Sequence, residues 1–263
     1  MSKVIRVAVS GAGGRMGREV VNAVLEVGDE FALVGVADPV FAGNSLREVA
    51  GHDCPIYYER SIADVLENGS ADAVVVFSIP STAMDDIRTC MKAKAVPVVG
   101  TTGITPQNLD EIRALSAETG VGAIIAPNFA IGAVLMMKFA QQAAKYMPAV
   151  EIIELHHDKK LDAPSGTAIK TAQMIEAARQ EEFHGVGPDT PARGEEFGGV
   201  HIHSVRLPGF VAHQEVIFGG LGQSLTIRHD SIDRKSFMPG VLLALRKSRD
   251  LTEVVYGLDN IMD

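Results

Sequence analysis

Val4-Ile5-Arg6-Val7-Ala8-Val9-Ser10-Gly11-Ala12-Gly13-Gly14-Arg15-Met16-Gly17 is the stretch that decides the fold. Its first seven residues are a β-branched run and predict a strand buried in a sheet. The glycines come next, and then a helical stretch from Arg18 to Val27, with Val20, Val21, Val24 and Leu25 at helical spacing. Strand, glycine loop, helix is the context in which such a pattern means dinucleotide binding. The glycines permit a tight turn and let a pyrophosphate approach the backbone at the helix N-terminus. The pattern reads as G-x-x-G-x-x-G, since Met16 stands where a strict G-x-G-x-x-G would need glycine. A tight structural turn is the alternative.

Working outward, Phe31–Ala37 predicts a second strand ending at Asp38, 21 residues after Gly17. An acid there can accept hydrogen bonds from the adenosine ribose hydroxyls. Pro39 and Val40 follow it instead of a basic residue, so NADH is favoured over NADPH, with Arg15 and Arg47 still open to a phosphate. A turn or cap acid is the plainer reading of Asp38. The alternation continues with helices over 61–67, 82–95 and 106–119 and strands over 73–78, 97–100 and 122–126. Strands alternating with helices imply a parallel sheet with ligands at the carboxyl ends of its strands. Gly100, Thr101 and Thr102, and Ala126, Pro127, Asn128 and Phe129, are therefore candidates to flank a nicotinamide. Asn128 also reads as an N-cap for the next helix.

The second half has a different grammar. A long helix over 129–146, a strand over 150–155 and a helix over 167–181 are followed by a glycine- and proline-rich loop, 185–199, expected to be mobile. Strands over 200–207, 212–218 and 224–229 come without helices between them, so this half is α+β. A last helix, 236–245, is expected to return to the first domain. The fold class is thus α/β: a Rossmann-type, doubly wound parallel-sheet domain over 1–127 and 238–263, with an inserted α+β domain over 128–237.

Within the insertion lies Glu154-Leu155-His156-His157-Asp158-Lys159-Lys160-Leu161-Asp162-Ala163-Pro164-Ser165-Gly166-Thr167. Histidine exchanges protons near neutral pH, lysine is a compact cation, and Ser-Gly-Thr opening a helix offers backbone N–H groups to an anion. Together they describe a site for an anionic substrate that needs proton transfer; the alternative is an exposed polar loop. His201 and His203 share a strand face, but no acid or cysteine at a telling spacing supports a metal, and a polar face or subunit contact is the expectation.

The 263 residues are 46% hydrophobic and 22% charged, ordinary for a globular protein. A net charge of −9 argues against a nucleic-acid partner. Cys54 and Cys90 share no metal-type spacing and read as reduced thiols of a cytoplasmic protein. No charged-then-apolar leader and no membrane-length apolar run is read.

These motifs resemble the dihydrodipicolinate reductase family, on Val7–Gly17, Gly100–Gly103, Ala126–Phe129, Glu154–His157 with Lys160–Ala168, and His203–Arg206. The resemblance implies an NAD(P)H-dependent reductase of a cyclic imine dicarboxylate on the route to diaminopimelate and lysine, without a metal. It implies His156 as proton donor, Lys160 as second donor, and His157, Gly166, Thr167 and Arg234 as substrate ligands. It implies Gly11, Ala12, Gly13, Gly14, Arg15, Met16 and Asp38, with the strand ends named above, as the cofactor site. A homotetramer centred on the second domain's sheet follows from it as an expectation. Closure of the two domains is expected because residues 156–167 must be brought against a cofactor held by the first domain. Pro39 departs from members that carry arginine after the acid. A phosphorylating semialdehyde dehydrogenase would need a cysteine in the second domain, and a non-catalytic NAD-sensing regulator a basic module; neither is present.

Overall fold

The computed structural model describes residues 4–180, 187 and 190–262. It divides into two compact units, residues 1–129 with 237–263, and residues 130–236. The strands in chain order are β1 (Ile5–Ser10), β2 (Phe31–Ala37), β3 (Tyr58–Glu59), β4 (Ala73–Val76), β5 (Val96–Val99), β6 (Ala123–Ile125), β7 (Ala149–His156), β8 (Glu195–Phe197), β9 (Val200–Arg206), β10 (Ala212–Gly220), β11 (Gln223–Ser231) and β12 (Val254–Tyr256). The helices are α1 (Arg15–Glu26), α2 (Leu46–Ala50), α3 (Ile62–Asn68), α4 (Pro80–Lys92), α5 (Pro106–Thr119), α6 (Ile131–Ala144), α7 (Gly166–Ala178) and α8 (Met238–Lys247).

The first unit is a seven-stranded parallel sheet in the order β12-β6-β5-β4-β1-β2-β3. β4, β5 and β6 are buried along their whole length, as strands covered by helices on both faces must be. Local signals set the helix ends. Ser45, Ser61 and Thr105 each close a capping box with the residue three further on, and Gly120 ends α5 at φ +70°. The strand order reverses beside β1, whose neighbours are β2 and β4. That topological switch point is where an open α/β sheet leaves a crevice. α8 belongs to this unit: it packs on α1, and Arg246 pairs with Glu30 at 2.6 Å.

The second unit is a five-stranded mixed sheet in the order β11-β10-β7-β9-β8. α6 and α7 cover one face, burying Met136, Ala140, Ile152, Ala172, Ile175, Val216 and Phe218. Leu221 and Gly222, the latter at φ +67°, make the two-residue turn of the β10–β11 hairpin.

Several expected boundaries move. α1 starts at Arg15, so Arg15, Met16 and Gly17 lie in its first turn. Ala130, not Asn128, is the N-cap of α6, and no side chain caps that helix. Of the 185–199 loop, positions 185, 186, 188 and 189 lie outside the described residues. The helix expected to reach 181 ends at Ala178, where Arg179 turns extended. The remainder holds a 3₁₀ turn, Pro191–Arg193, and β8. β3, β8 and β12 are two or three residues long, too short for a periodicity to register.

Candidate active site

In the first unit the turn after β1 meets the end of β4. Gly11 has φ +74°, and a Cβ on it would lie 2.5 Å from the Phe77 carbonyl oxygen. A Cβ on Gly13 would lie 2.1 Å from the Phe41 ring, and one on Gly17 2.1 Å from the Gly11 carbonyl. Gly11 and Gly17 meet backbone and must be glycine for the chain to fold this tightly, whereas at Gly13 the Phe41 ring and the Asp38 carboxylate would have to move. Gly14 is the N-cap of α1 and supplies no side chain to cap it. Gly13 N–H donates to Asp38 Oδ2 at 3.1 Å and Val40 N–H to Oδ1 at 3.0 Å. Asp38 is thus both a turn acid and a carboxylate facing the glycine loop. Phe41 covers Gly13, with the Arg18 guanidinium 5.3 Å from its ring centroid.

The neighbouring strand ends gather around Phe77. A Cβ on Gly100 would lie 2.2 Å from its ring, and the Phe129 ring centroid is 6.0 Å away. Thr101 is buried, and its hydroxyl donates to the Ser78 carbonyl at 2.8 Å. Ser10 Oγ donates to Asp86 Oδ2 at 2.8 Å, and burial pushes the Asp86 carboxyl up. Thr102, Pro127 and Arg15 are exposed, and Asn128 and Met16 half-buried. Among the described residues Arg15 makes no ion pair, whereas Arg47 faces Asp53 at 3.7 Å.

In the second unit β7 ends in the polar cluster. Its helix-facing row runs Val150, Ile152, Glu154, His156. Glu154 has no exposed surface. It accepts hydrogen bonds from His156 Nδ1 at 2.5 Å, from Arg206 Nη1 and Nη2 at 2.8 and 2.7 Å, and from Ser165 N–H at 3.2 Å. Burial works to raise its carboxyl. The bonds from His156, Arg206 and Ser204 outweigh burial and hold it at about 2. Lys160 Nζ donates to both carboxylate oxygens of Asp162 at 2.8 Å. Arg206 Nη2 also donates to the Asp162 carbonyl at 2.7 Å. Ser165 Oγ caps α7 by accepting from Ala168 N–H. Gly166 opens that helix, and a Cβ there would meet nothing within 4 Å. Packing within the chain therefore gives no reason for glycine at 166.

The structure thus joins Glu154, His156, Arg206, Asp162, Lys160 and Ser165 in one network. His157 contributes the carbonyl that receives Lys160 N–H at 3.1 Å, and Thr167 the carbonyl that receives Thr171 Oγ1 at 2.7 Å. Arg234 is not joined to the network. It lies on a 3₁₀ turn, Arg234–Phe237, three residues after Ser231. The register aligns Arg206, His156, Ala212 and Ser231 in one row across β9, β7, β10 and β11. Arg234 therefore follows the same sheet edge, and it has no hydrogen-bond or ion-pair partner among the described residues. His203 Nε2 meets Glu151 at 2.7 Å. No group of three His, Cys, Asp or Glu among the described residues could hold a metal.

Two family models cover the chain: dihydrodipicolinate reductase, N-terminus, matches residues 5–129, and dihydrodipicolinate reductase, C-terminus, matches residues 132–262. This chain belongs to the dihydrodipicolinate reductase family. It is 51% identical to the 4-hydroxy-tetrahydrodipicolinate reductase of Listeria innocua, over 98% of this chain and 100% of that one. It is also 51% identical to the enzyme of that name from Desulfitobacterium hafniense, over 99% and 100%. A solved structure, dipicolinate-bound dihydrodipicolinate reductase from Paenisporosarcina sp. TG-14, superposes with a TM-score of 0.87 at 43% identity, covering 99% of this chain and 100% of that one.

Sequence reasoning left Glu154 and Arg206 without a role. Glu154 carried a readable signal, an acid where the two-residue alternation of β7 calls for an apolar side chain. Arg206 was legible only as the end of the His203–Arg206 motif, since its partners are 52 and 44 positions away. Cys54 and Cys90 are free thiols of the first unit, and burial pushes the Cys90 thiol far up, so it is no nucleophile. No helix among the described residues is long and apolar enough to cross a membrane.

Proposed function

We propose that this chain reduces (2S,4S)-4-hydroxy-2,3,4,5-tetrahydrodipicolinate to (S)-2,3,4,5-tetrahydrodipicolinate, with loss of water, in diaminopimelate and lysine biosynthesis, through the polar cluster at the end of β7. The observation that carries the assignment of the cluster is an imidazole anchored by a buried carboxylate that is joined through Arg206 and Asp162 to a lysine and through Ser165 to a helix start. NADH or NADPH, when bound, supplies the hydride.

Hydride delivery to an unsaturated ring carbon builds negative charge that a positioned acid must quench. His156 gives that proton from Nε2, an effect typically worth about 10²–10⁴ in rate. Lys160 assists departure of the hydroxyl and balances one carboxylate. The Gly166 and Thr167 N–H groups hold the other at the helix start, and His157 and Arg234 are further carboxylate contacts. In the first domain, Gly11, Ala12, Gly13, Gly14, Arg15 and Met16 cradle the pyrophosphate. Gly11 and Gly17 hold the turn tight against its own backbone, and exposed Gly14 opens α1 without a side chain, which suits that group. Asp38 takes the ribose hydroxyls and repels a 2′-phosphate, so NADH is preferred. Gly100, Thr101, Thr102 and Ala126, Pro127, Asn128, Phe129 flank the nicotinamide.

Residues 1–127 and 238–263 then serve the cofactor, and 128–237 the substrate and the assembly, in the cytoplasm. The helix-free face of the second sheet carries half-buried Ile153, Leu155 and Ile217, which supports burial against further copies in a homotetramer. Light scattering should give four chains; one chain would remove the tetramer.

The activity is tested by NADH absorbance with synthase-generated substrate present and then omitted. Turnover only when it is present, inhibited competitively by dipicolinate, is expected; oxidation independent of the substrate would refute the reading.

A further inference from the structure

The row Val150, Ile152, Glu154, His156 puts a carboxylate into the helix-covered face of the second sheet at a position where an apolar side chain would pack without desolvation cost. Its hydrogen-bond pattern shows what the position is used for. Oε2 accepts from His156 Nδ1 at 2.5 Å and Arg206 Nη1 at 2.8 Å. Oε1 accepts from Arg206 Nη2 at 2.7 Å and Ser165 N–H at 3.2 Å.

We propose that Glu154 and Arg206 act as one positioning unit that sets His156, the Lys160 loop and the start of α7 together; this rests on His156 being the proton donor. Glu154 and Arg206 touch no reacting atom in this account.

Three connections make the case. The carboxylate is ionised and carries no proton, so His156 Nδ1 is the donor in their bond and Nε2 is the nitrogen left for substrate. When the imidazolium gives up Nε2–H, the ring becomes neutral with Nδ1–H still on Glu154. It is recharged at the same atom, without a ring flip. Second, Arg206 Nη2 also donates to the Asp162 carbonyl at 2.7 Å, and the Asp162 carboxylate takes Lys160 Nζ at 2.8 Å. The lysine is thereby referred to the same guanidinium that clamps Glu154. Third, Glu154 Oε1 holds the amide of Ser165, the residue that caps α7 and precedes Gly166 and Thr167. Proton donor, second cation and anion cradle thus share one buried anchor, and Ser204 adds a further hydroxyl to it.

The test is the ¹⁵N spectrum of the His156 imidazole, with steady-state kinetics, in the full-length protein and in Glu154→Gln. The wild-type ring should carry its proton on Nδ1. In Glu154→Gln that preference should be lost and kcat should fall by about 100-fold or more, while NADH affinity by fluorescence stays at wild type. A wild-type ring with bare Nδ1 would overturn the proposal whether or not the variant folds. A folded Glu154→Gln that keeps kcat within about threefold would do the same. His156→Gln is measured alongside. If it too keeps its activity, the proton-donor reading has failed; if it loses activity and Glu154→Gln does not, the positioning unit alone has failed.

Discussion

The loop after β1 and the loop after β7 both end a strand and open a helix, but they are built in opposite ways. The first is made of backbone: Gly11, Gly13 and Gly17 let main chain and side chains approach to distances that a Cβ would forbid. The second is made of side-chain charge around a buried carboxylate, with Glu154, His156, Arg206 and Ser165 each holding the next. A site for a large cofactor needs room and unpaired N–H groups. A site for proton transfer needs a donor whose tautomer and direction are fixed. The difference predicts that the first loop fails by steric crowding and the second by uncompensated charge.

The largest expected effect breaks the second region. Glu154→Ala leaves Arg206, 18% exposed, without its partner, and should cost about 3–5 kcal/mol of stability, read by urea unfolding; a loss under about 1 kcal/mol would mean that water replaces the carboxylate. The pH dependence sharpens the same point. The Glu154 carboxyl falls from 4.5 to about 2 on folding. The stability it contributes is fully present above 4.5 and is lost as pH drops through about 2. The gap between wild type and Glu154→Gln should therefore narrow across that window.

Gly17→Ala comes next. Its Cβ would lie 2.1 Å from the Gly11 carbonyl oxygen, so the turn must shift. A stability loss of about 1–3 kcal/mol is expected, with weakened NADH binding and an unchanged His156 ring spectrum. Asp38→Ala should weaken NADH by about tenfold, the worth of a charge-assisted hydrogen bond, and NADPH by less. Equal losses in a fluorescence titration would remove Asp38 from the ribose. The smallest effect is on folding by Asp162→Asn. The Lys160–Asp162 pair is 60% exposed on the acid side and should contribute under about 1 kcal/mol, although kcat should respond more.

The two regions also differ in how far they could be read from the chain. The βα alternation and the glycine turn were legible because their constraints are local: buried runs such as Ala73-Val74-Val75-Val76, capping serines, and positions where only glycine fits. The His-Lys cluster was legible as a composition, and the family resemblance gave its members roles. Its wiring was not, because Arg206 reaches Glu154 across 52 positions through the parallel pairing of β7 with β9. β12 was hidden for a related reason. Val254-Val255-Tyr256 is a strand only because β6 offers it an edge.

The most direct test of the account compares kcat and NADH affinity in His156→Gln. It predicts a fall in kcat of about 100-fold or more with NADH affinity unchanged. A kcat within about threefold of wild type, or an NADH affinity that falls in step with kcat, would contradict it.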